Sequence, residues 1–118
     1  MSIQTALTRD PIETLAEIVR ESGITPPLDP ADFVAAGVVE RVGLPRLHLY
    51  SHLYTRRLLA VDEQLHAWRA ASGTPGSVNG YLPLPSLADA LAGLDLERGE
   101  RMKARMKRFV VLYEDEPA

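Results

Sequence analysis

The polar residues along this chain mark starts and stops, and the apolar residues between them recur at helical spacing. Asp10-Pro11-Ile12-Glu13 offers a side-chain acceptor at the N-cap, proline at the first helical position and an acid in the first turn. That combination satisfies free backbone N–H groups and complements the helix dipole. Ile12, Leu15, Ala16 and Val19 then share one face, and Gly23 is the stop. A first helix is predicted over residues 11–22. Thr25-Pro26-Pro27-Leu28 is a rigid connector, because each proline pushes its predecessor out of the helical region. Asp29-Pro30-Ala31-Asp32 repeats the opening signature. Phe33, Val34, Val38, Val39 and Val42 predict a second helix, weakened at Gly37 and stopped by Gly43.

Pro45 opens a predicted third helix that continues to about Ala71. The run from Gly73 to Gly80 ends it with turn formers. Asn79-Gly80 suits a tight hairpin turn, so its flanks can form a short two-stranded ribbon near residues 77–82. Pro83 and Pro85 confine any such ribbon to an edge. Ser86-Leu87-Ala88-Asp89 is a capping box for a short helix to about Ala92. Asp95 caps a final helix from Leu96, with Met102, Met106, Phe109, Val110 and Tyr113 on one face. Phe109 to Tyr113 reads alternatively as a terminal strand, being rich in strand formers. The expected fold is mainly α: one small helical domain over residues 1–118, fraying at 1–8 and 114–118.

Composition narrows the function classes. The chain has 118 residues, of which 46% are hydrophobic and 25% charged, the profile of one globular domain. It has no cysteine, which excludes disulfides, thiol catalysis and Cys-ligated zinc. The N-terminus lacks a basic region before an apolar run, and the longest apolar stretch, Phe33 to Val39, is too short to span a bilayer. A cytoplasmic location is expected. The net charge of -3 hides segregation. Residues 1–40 hold seven acids and two bases, whereas residues 98–108 hold six bases and one acid. Residues 41–61 hold Arg41, Arg46, Arg56 and Arg57 and no acid. Basic segments in an acidic chain suit a nucleic acid, the chain's own acids or a second copy.

The segment from Val39 to Arg57 carries the most specific pattern. Gly43, Leu44, Arg46, Leu49, Tyr50, His52, Leu53, Thr55 and Arg56 follow one another as a glycine turn, an apolar residue, a base and a Leu-Tyr-x-His run. This resembles the turn and recognition helix of TetR-type repressors and, less closely, of IclR-type regulators. The resemblance implies a non-enzymatic, dimeric transcription regulator that places a recognition helix in the major groove of double-stranded DNA. It assigns Arg46, His48 and Ser51 to bases or phosphates. It assigns Tyr50, His52, Arg56 and Arg57 to the DNA backbone.

The same residues support a second expectation. On one continuous helix over residues 46–69, at about 100° per residue, Leu47, Tyr50, Tyr54, Leu58, Val61, Leu65 and Trp68 form a stripe. Tyr50, Tyr54, Leu58 and Trp68 would then be the interface of a protein–protein adaptor, inhibitor or assembly subunit. Arg98, Arg101, Arg105 and Arg108 recur on one side of the final helix as a second basic surface. His48 and His52 alone are too few to hold zinc, and no phosphate cradle or nucleophile elbow occurs. No catalytic residue, metal or cofactor is therefore expected.

Overall fold

A computed structural model describes residues 10–114. The elements are α1 (Pro11–Ser22), a 3-10 turn (Pro30–Asp32), β1 (Phe33–Val39), β2 (Leu47–His52), β3 (Leu58–Asp62), β4 (Ala67–Ala70), β5 (Tyr81–Pro83), α2 (Leu87–Leu94) and α3 (Leu96–Glu114). The five strands form one antiparallel sheet in the order β1-β2-β3-β4-β5. The mainly α expectation is overturned: a sheet stands where two of the predicted helices were placed. Of the termini expected to fray, 1–8 and 114–118, all but Glu114 lie outside the described residues, and Glu114 closes α3. No helix among the described residues is long and apolar enough to cross a membrane.

The capping chemistry works where an amphipathic run follows it. Asp10 Oδ1 accepts the Ile12 N–H at 2.9 Å, and Gly23 closes α1 in the left-handed region at φ 76°. Ser86 caps α2 by accepting the Asp89 N–H, and its hydroxyl donates to the Asp89 carboxylate at 2.9 Å. Asp29 also accepts a backbone N–H, that of Ala31, but it opens only the single 3-10 turn. The residues that follow decide the difference. Phe33-Val34-Ala35-Ala36-Gly37-Val38-Val39 is rich in β-branched side chains and holds a glycine at φ 131°, which suits a bulged strand.

The predicted helix over 45–71 is replaced by β2, β3 and β4. Arg56 and Leu65 sit at φ 61° and 65°, in the left-handed region, so no helix passes through either position. The buried Asp62 builds the second of these turns, its Oδ1 accepting the Gln64 and His66 N–H groups at 2.9 Å each. The Asn79-Gly80 turn forms as expected, with positive φ at both residues and a bridge between Val78 and Tyr81. Its outgoing strand pairs with β4, and Pro83 lies on the outermost strand, where a missing donor is tolerated.

One face of the sheet carries the main core. Tyr50, Leu59, Val61 and Ala67 pack with Ile12, Leu15, Ala16 and Val19 of α1 and with Ala90, Leu91 and Leu94 of α2. On the other face Leu47 and Ala60 are buried, and the β4–β5 loop meets the β1–β2 loop. There Arg41 donates to the Asn79 carbonyl at 2.6 Å and lies over the Tyr81 ring, while the Asn79 amide donates to the Val42 carbonyl. β1 is the outermost strand on its side, and Phe33 at its start packs against this core.

Candidate interaction surface

The side of the molecule formed by β1 and α3 is its least finished part. β1 pairs with β2 from Phe33↔His52 to Val39↔Leu47, with Ala36 as the extra residue of a bulge. Its other edge has no strand partner among the described residues. Val34 and Val38 are each about half exposed (52% and 53%), although a core-packed valine would be covered. No charged residue lies between Phe33 and Val39. An apolar edge without charges is the kind that natural sheets usually cover or pair.

Two devices aim α3 at this edge. The first is Gly99. A Cβ there would stand 2.7 Å from His52 Cε1 and 3.3 Å from Thr55 Cγ2, so glycine lets the helix lie directly on the end of β2. The His52 ring cannot easily yield. Its Nδ1 accepts the Tyr54 and Thr55 N–H groups at 3.3 and 3.2 Å, and its edge packs on Phe33. Burial holds the imidazole below its ordinary pKa, against the opposing pull of Asp32 and Glu100. The neutral ring therefore keeps its proton on Nε2.

The second device is Lys103. Its ammonium donates to Asp32 at 2.9 Å and reaches Asp29 at 3.4 Å. Asp32 is buried, and the Lys103 side chain is only 16% exposed. The hydrogen bond to Asp32 raises the lysine above its usual range. The Ala31 N–H and then Lys103 lower Asp29 below the usual carboxylate value. Between Gly99 and Lys103 the helix advances by about 6 Å, slightly more than one strand spacing. Over that distance it passes from His52 on β2 to Asp32 at the entry of β1. From Ala104 to Phe109 every residue is exposed. At about 100° per residue, Met102 and Met106 fall on the same side of α3 as Gly99 and Lys103. They remain 37% and 56% exposed.

The residues assigned to DNA by the TetR-type resemblance are not gathered on one surface. Arg46 stands before β2, bonded to Glu40 at 2.7 Å and near Glu63 at 3.7 Å. Arg56 and Arg57 lie beyond the other end of β2, where Arg57 donates to the Gly93 carbonyl at 3.2 Å. His48 is half-buried and faces Glu63 at 3.5 Å, and Ser51 is half-buried too. Tyr50 is buried, its hydroxyl donating to Asp10 at 2.6 Å; burial and that carboxylate raise its pKa. His52 supports α3. His48 and His52 share one face of a strand, about 13 Å apart, rather than one turn of a helix. Among the described residues no three potential ligands gather around a metal position.

The stripe expected from helical spacing is also dismantled. Strand alternation puts Tyr50 on the helix-covered face and Leu58 and Trp68 on the opposite one. Trp68 donates from its indole to Asp62 at 3.2 Å, Leu58 is exposed, and Tyr54 belongs to the β2–β3 turn. Only Arg98, Arg101, Arg105 and Arg108 are brought together as expected, on the outer side of α3. Sequence reasoning missed the open edge of β1, whose valines and bulge glycine were its visible signal. Comparison with protein-family models, with characterised proteins and with solved structures returned no match.

Proposed function

We propose that the chain works by protein–protein association, as an assembly subunit rather than a catalyst, through the side formed by β1 and the projecting part of α3. The observation that carries this reading is the path of α3. It touches the last residue of β2 at His52 and the turn before β1 at Asp32, and its next residues, Ala104 to Phe109, are all exposed, with Met102 and Met106 on the side that carries Gly99 and Lys103. A second copy fits that geometry. Two β1 edges related by a two-fold axis are antiparallel, and each α3 would cross the seam in the opposite direction. The eleven residues after Lys103 in α3 rise about 16 Å, roughly three strand spacings, which is enough to span the seam. The buried ionisable groups are engaged in the fold: Asp32 with Lys103, Asp62 in its turn, His52 under α3.

Sedimentation velocity over a range of micromolar concentrations tests this reading. The full chain is expected to form a concentration-dependent dimer. Val38→Lys and Met106→Lys place charges on exposed positions and should give folded monomers. A wild-type chain that stays monomeric throughout rejects the reading.

A further inference from the structure

The outer side of α3 has a use that self-association leaves free. Arg98, Arg101, Arg105 and Arg108 follow at intervals of three, four and three residues, a row about 15 Å long. Arg98 makes a surface ion pair with Asp95 at 3.3 Å, whereas Arg101, Arg105 and Arg108 make no ion pair among the described residues. All four are exposed. The only acids in the first half of α3 are Glu97 and Glu100, in its opening turns, where they complement the helix dipole. Beyond Glu100 there is none until Glu114. We infer that this row docks on the phosphate backbone of double-stranded DNA.

Three physical arguments favour DNA over an acidic protein. The row is arginine throughout, and the guanidinium fork suits phosphate oxygens. Between Arg98 and Arg108 no apolar side chain shares the arc of the row, and the exposed Phe109 only flanks its end, whereas protein interfaces depend on a desolvated apolar centre. Phosphate docking needs charge and donors only. The carrier is also a convex, projecting helix. Its diameter with side chains, about 10–12 Å, matches the major groove of B-form DNA at about 12 Å. The Met102 and Met106 side of the helix is not used in this contact, so the inference stands whether or not the chain dimerises.

The experiment is fluorescence anisotropy of a labelled mixed-sequence DNA duplex titrated with the full chain at increasing salt. Four neutralised phosphates predict an affinity that falls roughly 100-fold between about 50 and 200 mM salt. Arg101→Ala/Arg105→Ala should cut the logarithmic salt slope by about 1.8. Alanine favours the helix, so the variant keeps its fold. Arg20→Ala/Arg69→Ala removes the same charge elsewhere and should leave the slope unchanged. Three results would each overturn the inference: no binding at low salt, an equal effect of both variants, or displacement by poly-glutamate as effective as by unlabelled duplex of the same charge. The last would assign the row to an acidic polypeptide.

Discussion

Asp10, Tyr50 and His52 each serve two elements with one side chain. Asp10 caps α1 through the Ile12 N–H and also accepts the Tyr50 hydroxyl, so the helix start is tied to β2 across forty residues. Sequence reading finds the cap, because capping is local, but not the tyrosine, because that partner arrives through the fold. His52 closes the β2–β3 turn and supports α3. Its buried imidazole is held below its ordinary pKa, so the folded chain binds that proton less tightly than the unfolded one. The contribution of His52 is therefore complete above about pH 6.5 and declines as pH falls toward the folded value. Denaturation at pH 7.5 and 5.5 should show this loss in the wild type and a smaller loss in His52→Asn. That substitution keeps an acceptor for the Tyr54 and Thr55 N–H groups and removes the titrating ring. Equal losses in both proteins would assign the pH dependence to other groups.

At the scale of elements, α1 and α2 are legible from sequence and β1 to β4 are not. A helix closes its hydrogen bonds within itself, and its caps lie within four residues. A strand leaves its bonds to a neighbour that the local pattern does not name. Leu47, Tyr50, Tyr54 and Leu58 satisfy helical spacing, whereas strand alternation runs only over Leu47-His48-Leu49 before Tyr50 interrupts it. The two glycines near the start of α3 separate propensity from packing. A Cβ on Gly93 would meet nothing within 4 Å, whereas one on Gly99 would press against His52. Gly93→Ala should stabilise the chain by roughly 0.5 kcal/mol through helix propensity. Gly99→Ala gains the same propensity but forces α3 off β2, for a net loss of about 1–2 kcal/mol. Chemical denaturation measures both, and a stabilised Gly99→Ala would show that α3 does not rest on His52.

At the scale of the whole molecule, Lys103 and Asp32 join positions 71 residues apart. The pair is largely buried, so removing one partner leaves a charge without its counterion. Lys103→Met should cost about 3 kcal/mol in a denaturant titration. Lys103→Met/Asp32→Leu removes both charges and should recover much of that loss. If the single substitution is neutral, the ion pair does not hold α3 in place, and the helix loses its anchor at the turn before β1.

The two capped helices, the Asn79-Gly80 turn and the arginine row on α3 can be read from the residues alone. Each links residues a few positions apart, and in the two helices an amphipathic run follows the cap, which is what the Asp29 signature lacks. The tertiary structure alone decided that residues 33–70 become strands. Leu47, Tyr50, Tyr54 and Leu58 fit helical spacing there, and pairing across the β1–β2 loop and the Arg56 and Leu65 turns selected the sheet instead. It also decided that β1 stands at the edge and that α3 is tied to the Asp32 turn at its entry. Those placements come from Gly99 meeting His52 and Lys103 meeting Asp32, contacts between residues that the sequence keeps far apart.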